Sequence, residues 1–253
     1  MFSPLGPASI PRTKSLFGTK TTQPQPTASS TLPPDSAVSQ KAKAAISFEY
    51  ASLRHKSHCP LGIYVVPSVE TLLIWDAVLF VHQGYYADAI LKFRLTFPSN
   101  YPERPPTVQF INDVFHPLVS AQGNFNLAPQ IRVWRPNQHH VFDVLHFVKA
   151  AFKRDVLDKI EESDCFNKEA YRYRDSTASF ASLATQTASL SQTPSTLYDK
   201  DQPPLSNKAS HSLRFSKLKS STLREERAKY GLKEWEKESL SGDNPNDGKG
   251  EDL

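Results

Sequence analysis

The segment AILKFRLTFP, residues 89–98, sets Ile90, Lys92, Arg94 and Thr96 on one side of an extended chain and Leu91, Phe93, Leu95 and Phe97 on the other. A strand with one such apolar face has to pair laterally and bury that face. Two candidate neighbours precede it, GIYVVPS and TLLIWDAVLFVHQ, both rich in β-branched and aromatic residues and divided by the turn-like PSVE and HQGYYAD. A shorter one, TVQFI, follows Pro105-Pro106, whose fixed φ values and missing donors permit an entry turn but not a central strand. The expectation is an antiparallel meander of four strands.

Helical spacing flanks this sheet. Ala42, Ile46, Tyr50 and Leu53 predict a first amphipathic helix among Lys41, Lys43, Arg54 and Lys56. Val141, Val144, Leu145, Val148 and Phe152 share a face of a second, with Asn137 as its expected cap and Lys149, Lys153 and Arg154 suiting its C-terminal end. A short polar helix is expected between Cys165 and Arg174. Residues 112–136, with a glycine, Asn-containing turns and three prolines, predict a long irregular loop, a length usually kept for function.

Outside residues 41–175 the composition changes. Residues 1–40 are Pro-, Ser-, Thr- and Gln-rich and are expected to be a disordered tail; residues 176–222 read as a second such linker. Residues 223–253 begin with LREERAKYGLKEWEKESL, where Ala228, Leu232 and Trp235 fall on one helical face and make Leu232 and Trp235 candidate partner-binding residues.

The formal charge of +4 is small for 253 residues and unclustered, which argues against nucleic acid. LLIWDAVLFV is interrupted by Asp76 and falls far short of the roughly 20 apolar residues a membrane span needs. Cys59 and Cys165 form no CxxC pair, which suits a reducing, cytoplasmic compartment. HKSHC, with His55, His58 and Cys59, offers no second ligand pair for a structural zinc, and His139, His140 and His146 lie off the apolar face of their helix; no metal and no cofactor are expected.

Three motifs occur in order. NYPERPPTVQF resembles the YPxxPPxVxF segment of ubiquitin-conjugating enzymes, FHPLVSAQGNFNL resembles their HPN followed by GxICL, and WRPN resembles the tryptophan-x-proline segment before their long helix. The resemblance covers residues 41–175 and implies an α+β ubiquitin-conjugating (UBC) fold. On its pattern His116, Pro117 and Leu118 stand at the His-Pro-Asn positions. Gly123, Trp134 and Pro136 keep the scaffold, and Asn126 stands where the nucleophilic cysteine is expected.

An amide cannot form the thioester that a thiolate forms. Leu118 cannot supply the oxyanion hydrogen bond whose loss can cost ~3 kcal/mol. No catalytic residue is therefore expected, and His116 keeps a structural role. VFHPLV, GYYADAILKFRLTFPSNYP and WRPNQHHVFDVL resemble the inactive fused-toes subfamily, which includes the AKT-interacting and crossbronx proteins.

That resemblance implies a vesicle-trafficking adaptor binding Hook-type coiled-coil proteins and companion adaptors. AKT kinase is a further candidate partner, and attachment to endosomes or the cell membrane would be peripheral. Two alternatives stay open: a variant that pairs with an active conjugating enzyme or binds ubiquitin, and an enzyme using Cys59 or Cys165. Both cysteines are remote in sequence from the loop, which favours ordinary packed thiols.

Overall fold

The computed structural model describes residues 38–198 and 211–232. Residues 1–37 of the expected N-terminal tail and Trp235 lie outside the described residues, and the last residue of that tail, Gln40, opens the first helix. Helix α1 (Gln40–Ser52) is followed by β1 (Ile63–Pro67), β2 (Ile74–Phe80), β3 (Ile90–Thr96) and β4 (Thr107–Phe110). Then come α2 (Val141–Ala150), α3 (Arg154–Leu157), a 3-10 turn at Glu162–Asp164, α4 (Lys168–Tyr173), α5 (Thr177–Ser191), α6 (Pro194–Leu197) and α7 (Ser220–Lys229). The four strands form one antiparallel sheet in sequence order, the meander expected.

Register follows from the alternation in β3. Leu91, Phe93 and Leu95 pair with Leu79, Ala77 and Trp75, so one face of β2–β3 is continuous apolar surface. The buried Val141, Val144, Leu145, Phe147 and Val148 of α2 and the Ala42 and Ile46 of α1 belong to the same core. Fully burying such side chains contributes about 1.5–3 kcal/mol each. Tyr50 meets Trp75 edge-on, with ring centroids 5.3 Å apart.

One buried carboxylate ties the elements together. Glu49, on the inner side of α1, accepts the Tyr101 hydroxyl at 2.8 Å and the Val141 amide at 3.1 Å, and its Oε1 lies 3.0 Å from His140 Nδ1. The first helix, the β3–β4 loop and the start of α2 thus converge on one side chain. Burial and the Glu49 carboxylate keep the Tyr101 phenol protonated, pushing its pKa upward.

Three expectations need correction. Asn137 does not cap α2: it has φ +64°, and the cap is His140, whose amide donates to Asp143 Oδ2 at 2.8 Å. Residues 177–197, read as linker, form α5 and α6. Phe180, Ala184 and Ala188 of α5 are buried at helical spacing, and Phe180 packs against Tyr85 and Phe115. Leu232 does not share a helical face with Ala228, because α7 ends at Lys229. Gly231 (φ +67°) reverses the chain, with Leu232 N donating to Arg227 O and Gly231 N to Ala228 O, a Schellman closure.

Replacing Glu49 by Ala should cost about 2 kcal/mol or more, since it strips the acceptor from a buried hydroxyl and a buried amide together. A lowered urea midpoint with unchanged slope is the expected result.

Candidate functional site

The loop between β4 and α2 contains every residue that the sequence motifs single out apart from the YPxxPP segment. Its first anchor is Gly123, at φ +82°, where a Cβ would stand 2.1 Å from the Phe110 carbonyl oxygen. Only glycine fits there, and the close approach lets Phe110 N donate to Gly123 O at 2.8 Å. Phe125 N in turn donates to Val108 O at 2.9 Å, so the loop closes the edge of β4.

His116 is wholly buried. Its Nδ1 accepts the Leu118 amide at 3.0 Å, which leaves the proton on Nε2 to be donated to Ala151 O, also at 3.0 Å. The ring therefore bridges the loop to the end of α2 as a neutral imidazole. Burial pushes its pKa down to about 4, against a smaller upward pull from the Ala151 carbonyl. Phe152, Tyr86 and Phe125 surround it.

Leu118 is also fully buried, in the hydrophobic core. Its carbonyl accepts the Asn126 amide at 2.9 Å, so the two positions that the motif aligns with oxyanion donor and nucleophile are bonded through backbone. The Asn126 side chain is committed at both ends. Oδ1 accepts Ala128 N at 2.9 Å, and Nδ2 donates to Asp164 O at 2.7 Å. The half-buried amide is a clasp between the loop and the segment after α3, with its acceptor and a donor already in use.

That clasp also places Cys165. Cys165, remote in sequence, follows the residue that Asn126 holds, so it lies beside the loop. The thiol is buried and its Sγ faces Glu161 O at 3.2 Å; burial pushes its pKa up to about 11. A thiol held protonated is a poor nucleophile. Cys59, at the entry to β1, faces Ile63 O at 3.5 Å and is also shifted upward by burial.

Trp134 is half-buried and donates from Nε1 to Pro102 O at 2.7 Å, beside Tyr101 and His139, which fixes the far end of the loop to the YPxxPP segment. Pro117 and Pro136 flank these anchors; the Pro117 carbonyl accepts Asn167 N at 3.0 Å. Sequence reasoning missed Asp164 and Arg132, whose side chains pair at 3.3 Å beside the Asn126 clasp. Among the described residues there is no His, Cys, Asp and Glu grouping that could hold a metal, and no helix long and apolar enough to cross a membrane.

Asn126→Ala should lose about 1–3 kcal/mol, with faster amide exchange at Ala128, because it frees a backbone donor and a carbonyl together. For His116 the sign follows from the neutral folded state. Below the ordinary value of 6.5 the unfolded chain takes up a proton that the folded chain refuses until about 4. Stability from this group is intact above pH 6.5 and declines towards pH 4 by on the order of 3 kcal/mol. His116→Gln should flatten that part of the stability profile; an unchanged slope would contradict it.

A family profile described as Ubiquitin-conjugating enzyme matches residues 46–188, which includes most of α5. A crossbronx-like protein of Drosophila virilis is 36% identical over 94 residues, 36% of this chain and 37% of that protein. An AKTIP homolog of Nematostella vectensis is 36% identical over 124 residues, 48% of this chain and 39% of the relative. The AKT-interacting protein of Danio rerio is 37% identical over 111 residues, 43% and 36% of the respective chains. The aligned region spans less than two thirds of each relative's length. With its four-stranded meander, flanking helices and motif-bearing loop, the chain belongs to the ubiquitin-conjugating enzyme family, on the side of the crossbronx and AKT-interacting relatives.

Proposed function

We propose that this chain is a non-enzymatic adaptor that keeps the conjugating-enzyme scaffold and has given up its chemistry. The observation that carries the reading is the two-ended clasp of Asn126: the side chain at the aligned nucleophile position bonds Ala128 N and Asp164 O, and Leu118 at the aligned oxyanion position is buried carbon. An amide bonded to backbone at both ends is no attacking group, and the carbon side chain of Leu118 is no oxyanion donor. Cys165 stands nearby, but its raised pKa and its contact with Glu161 O support a packed thiol.

The partners follow from the subfamily resemblance. They are Hook-type coiled-coil proteins and companion adaptors in a cytoplasmic vesicle-trafficking complex, with AKT kinase as a further partner suggested by the name of the Danio rerio relative. Leu232, 59% exposed beyond the end of α7, is an anchor for such a partner together with Trp235.

Affinity recovery of the full chain from cells, followed by mass spectrometry, tests this directly. Hook-type proteins should be recovered, and Leu232→Asp combined with Trp235→Ala should reduce them at least several-fold. Consistent recovery of an active conjugating enzyme or of ubiquitin without Hook-type proteins would overturn the adaptor reading.

A further inference from the structure

Beside α2 runs an open cleft of about 760 Å³, walled by the turn between α1 and β1, the last stretch of the motif-bearing loop and one flank of α2. His116, Leu118, Asn126 and Trp134 take no part in its lining. It is a second feature of the surface, separate from the clasped loop.

The lining divides by chemistry. Pro60, Ile131 and Phe147 are buried side chains that border the cleft, and Leu61, also in the lining, is 87% exposed. Three lysines come from separate places: Lys56 in the turn after α1, Lys149 in the last turn of α2 and Lys153 just before α3. Among the described residues none of the three is paired with a carboxylate. The one acid in the lining, Asp143, is engaged at the start of α2, where its Oδ2 accepts His140 N at 2.8 Å. Three unpaired cations against one engaged carboxylate give the cleft a positive potential, which its apolar wall focuses.

Part of this charge is already positioned. Lys149 Nζ donates to Leu61 O at 2.6 Å, and His146 Nε2 donates to Ser57 O at 2.9 Å. Both bonds tie α2 to the 57–61 turn. They hold the Lys149 ammonium at the cleft wall, which reduces the ordering cost when an anion binds there.

The lining also selects the kind of anion. Among the described residues no arginine lines the cleft, so the planar fork that grips a phosphate through two bonds is missing. Lysines are point charges, and three of them on separate parts of the chain suit separate carboxylates along a segment. Gln130 and Gln138, both exposed, each offer an amide with donor and acceptor together, the complement of a peptide bond. Leu61 and the buried apolar lining make a seat for an aliphatic side chain.

We infer that this cleft is a docking site for an extended acidic segment of a partner protein, with an aliphatic residue among its carboxylates. The three lysines meet the carboxylates, the two glutamines meet the main chain, and Leu61 with Phe147 seats the aliphatic residue. The inference stands on the cleft alone and holds whether or not the adaptor reading does.

The test uses the full chain and a fluorescein-labelled peptide, EDLEDLED, followed by anisotropy, with QNLQNLQN as its neutral counterpart. The acidic peptide should bind roughly ten-fold or more tightly than the neutral one. Lys56→Glu combined with Lys153→Glu should weaken acidic-peptide binding roughly ten-fold or more, because like charges facing each other across an interface are disfavoured. Both lysines are exposed and make no side-chain hydrogen bond among the described residues, so the variant keeps the fold. Leu61→Ser should weaken binding several-fold through the aliphatic seat. Lys217→Glu combined with Lys219→Glu reverses two exposed lysines outside the cleft and should leave affinity within about two-fold. Equal losses in the two charge-reversed variants would overturn the inference, since they would mark general attraction to a basic surface. Equal binding of the two peptides, or binding of neither, would also overturn it. So would cosedimentation with phosphatidylserine vesicles that Lys56→Glu with Lys153→Glu abolishes while no peptide binds, which would assign the cleft to a membrane.

Discussion

The constraint on which the structure depends is the need to satisfy the backbone of a long irregular segment. Between β4 and α2 the chain runs from residue 111 to residue 140 without a regular element. Its amides and carbonyls must still find partners where they are buried. The solution is a set of single-residue anchors: Gly123 lets two backbones meet, His116 joins Leu118 to Ala151, Asn126 joins Ala128 to Asp164, and Trp134 reaches Pro102. Each anchor connects the loop to a different neighbour, and together they hold it against the sheet, the end of α2 and the segment before α4.

This changes what the motif residues mean physically. His116, buried and neutral, would look like a candidate base by residue type alone, yet both ring nitrogens are engaged with backbone. Asn126 is a polar side chain in a motif loop, and it too is spent on backbone. The adaptor proposal draws its support from the second of these: the amide at the aligned nucleophile position faces the protein's own main chain. Glu49 plays the matching part on the opposite side, gathering α1, Tyr101 and the start of α2 around one carboxylate.

The sheet, its order and the apolar face of α2 were legible because alternation and helical spacing are direct images of burial. Leu91, Phe93 and Leu95 could hardly be placed otherwise. The rest was hidden for specific reasons. Helix α5 is built from Ser, Thr and Ala with Phe180 as its one large buried anchor, a composition that resembles a linker because small residues pack closely without raising hydrophobicity. The Asn137 cap failed because this residue sits at positive φ four positions before α2 begins at Val141, where His140 is the cap. Cys165 seemed distant because sequence separation says nothing about a clasp such as Asn126 to Asp164. The cover over Asp76 was invisible for the same reason: only a contact 136 residues along the chain, from Ser212 to Asp76, reveals it.

The central claim is that the loop is a scaffold without a nucleophile, and incubation of the full chain with activating enzyme, ATP and ubiquitin tests it most directly. The account predicts no thiol-reducible ubiquitin adduct on this chain under conditions that charge an active conjugating enzyme. An adduct that forms and then disappears on Cys165→Ser or Cys59→Ser would contradict it.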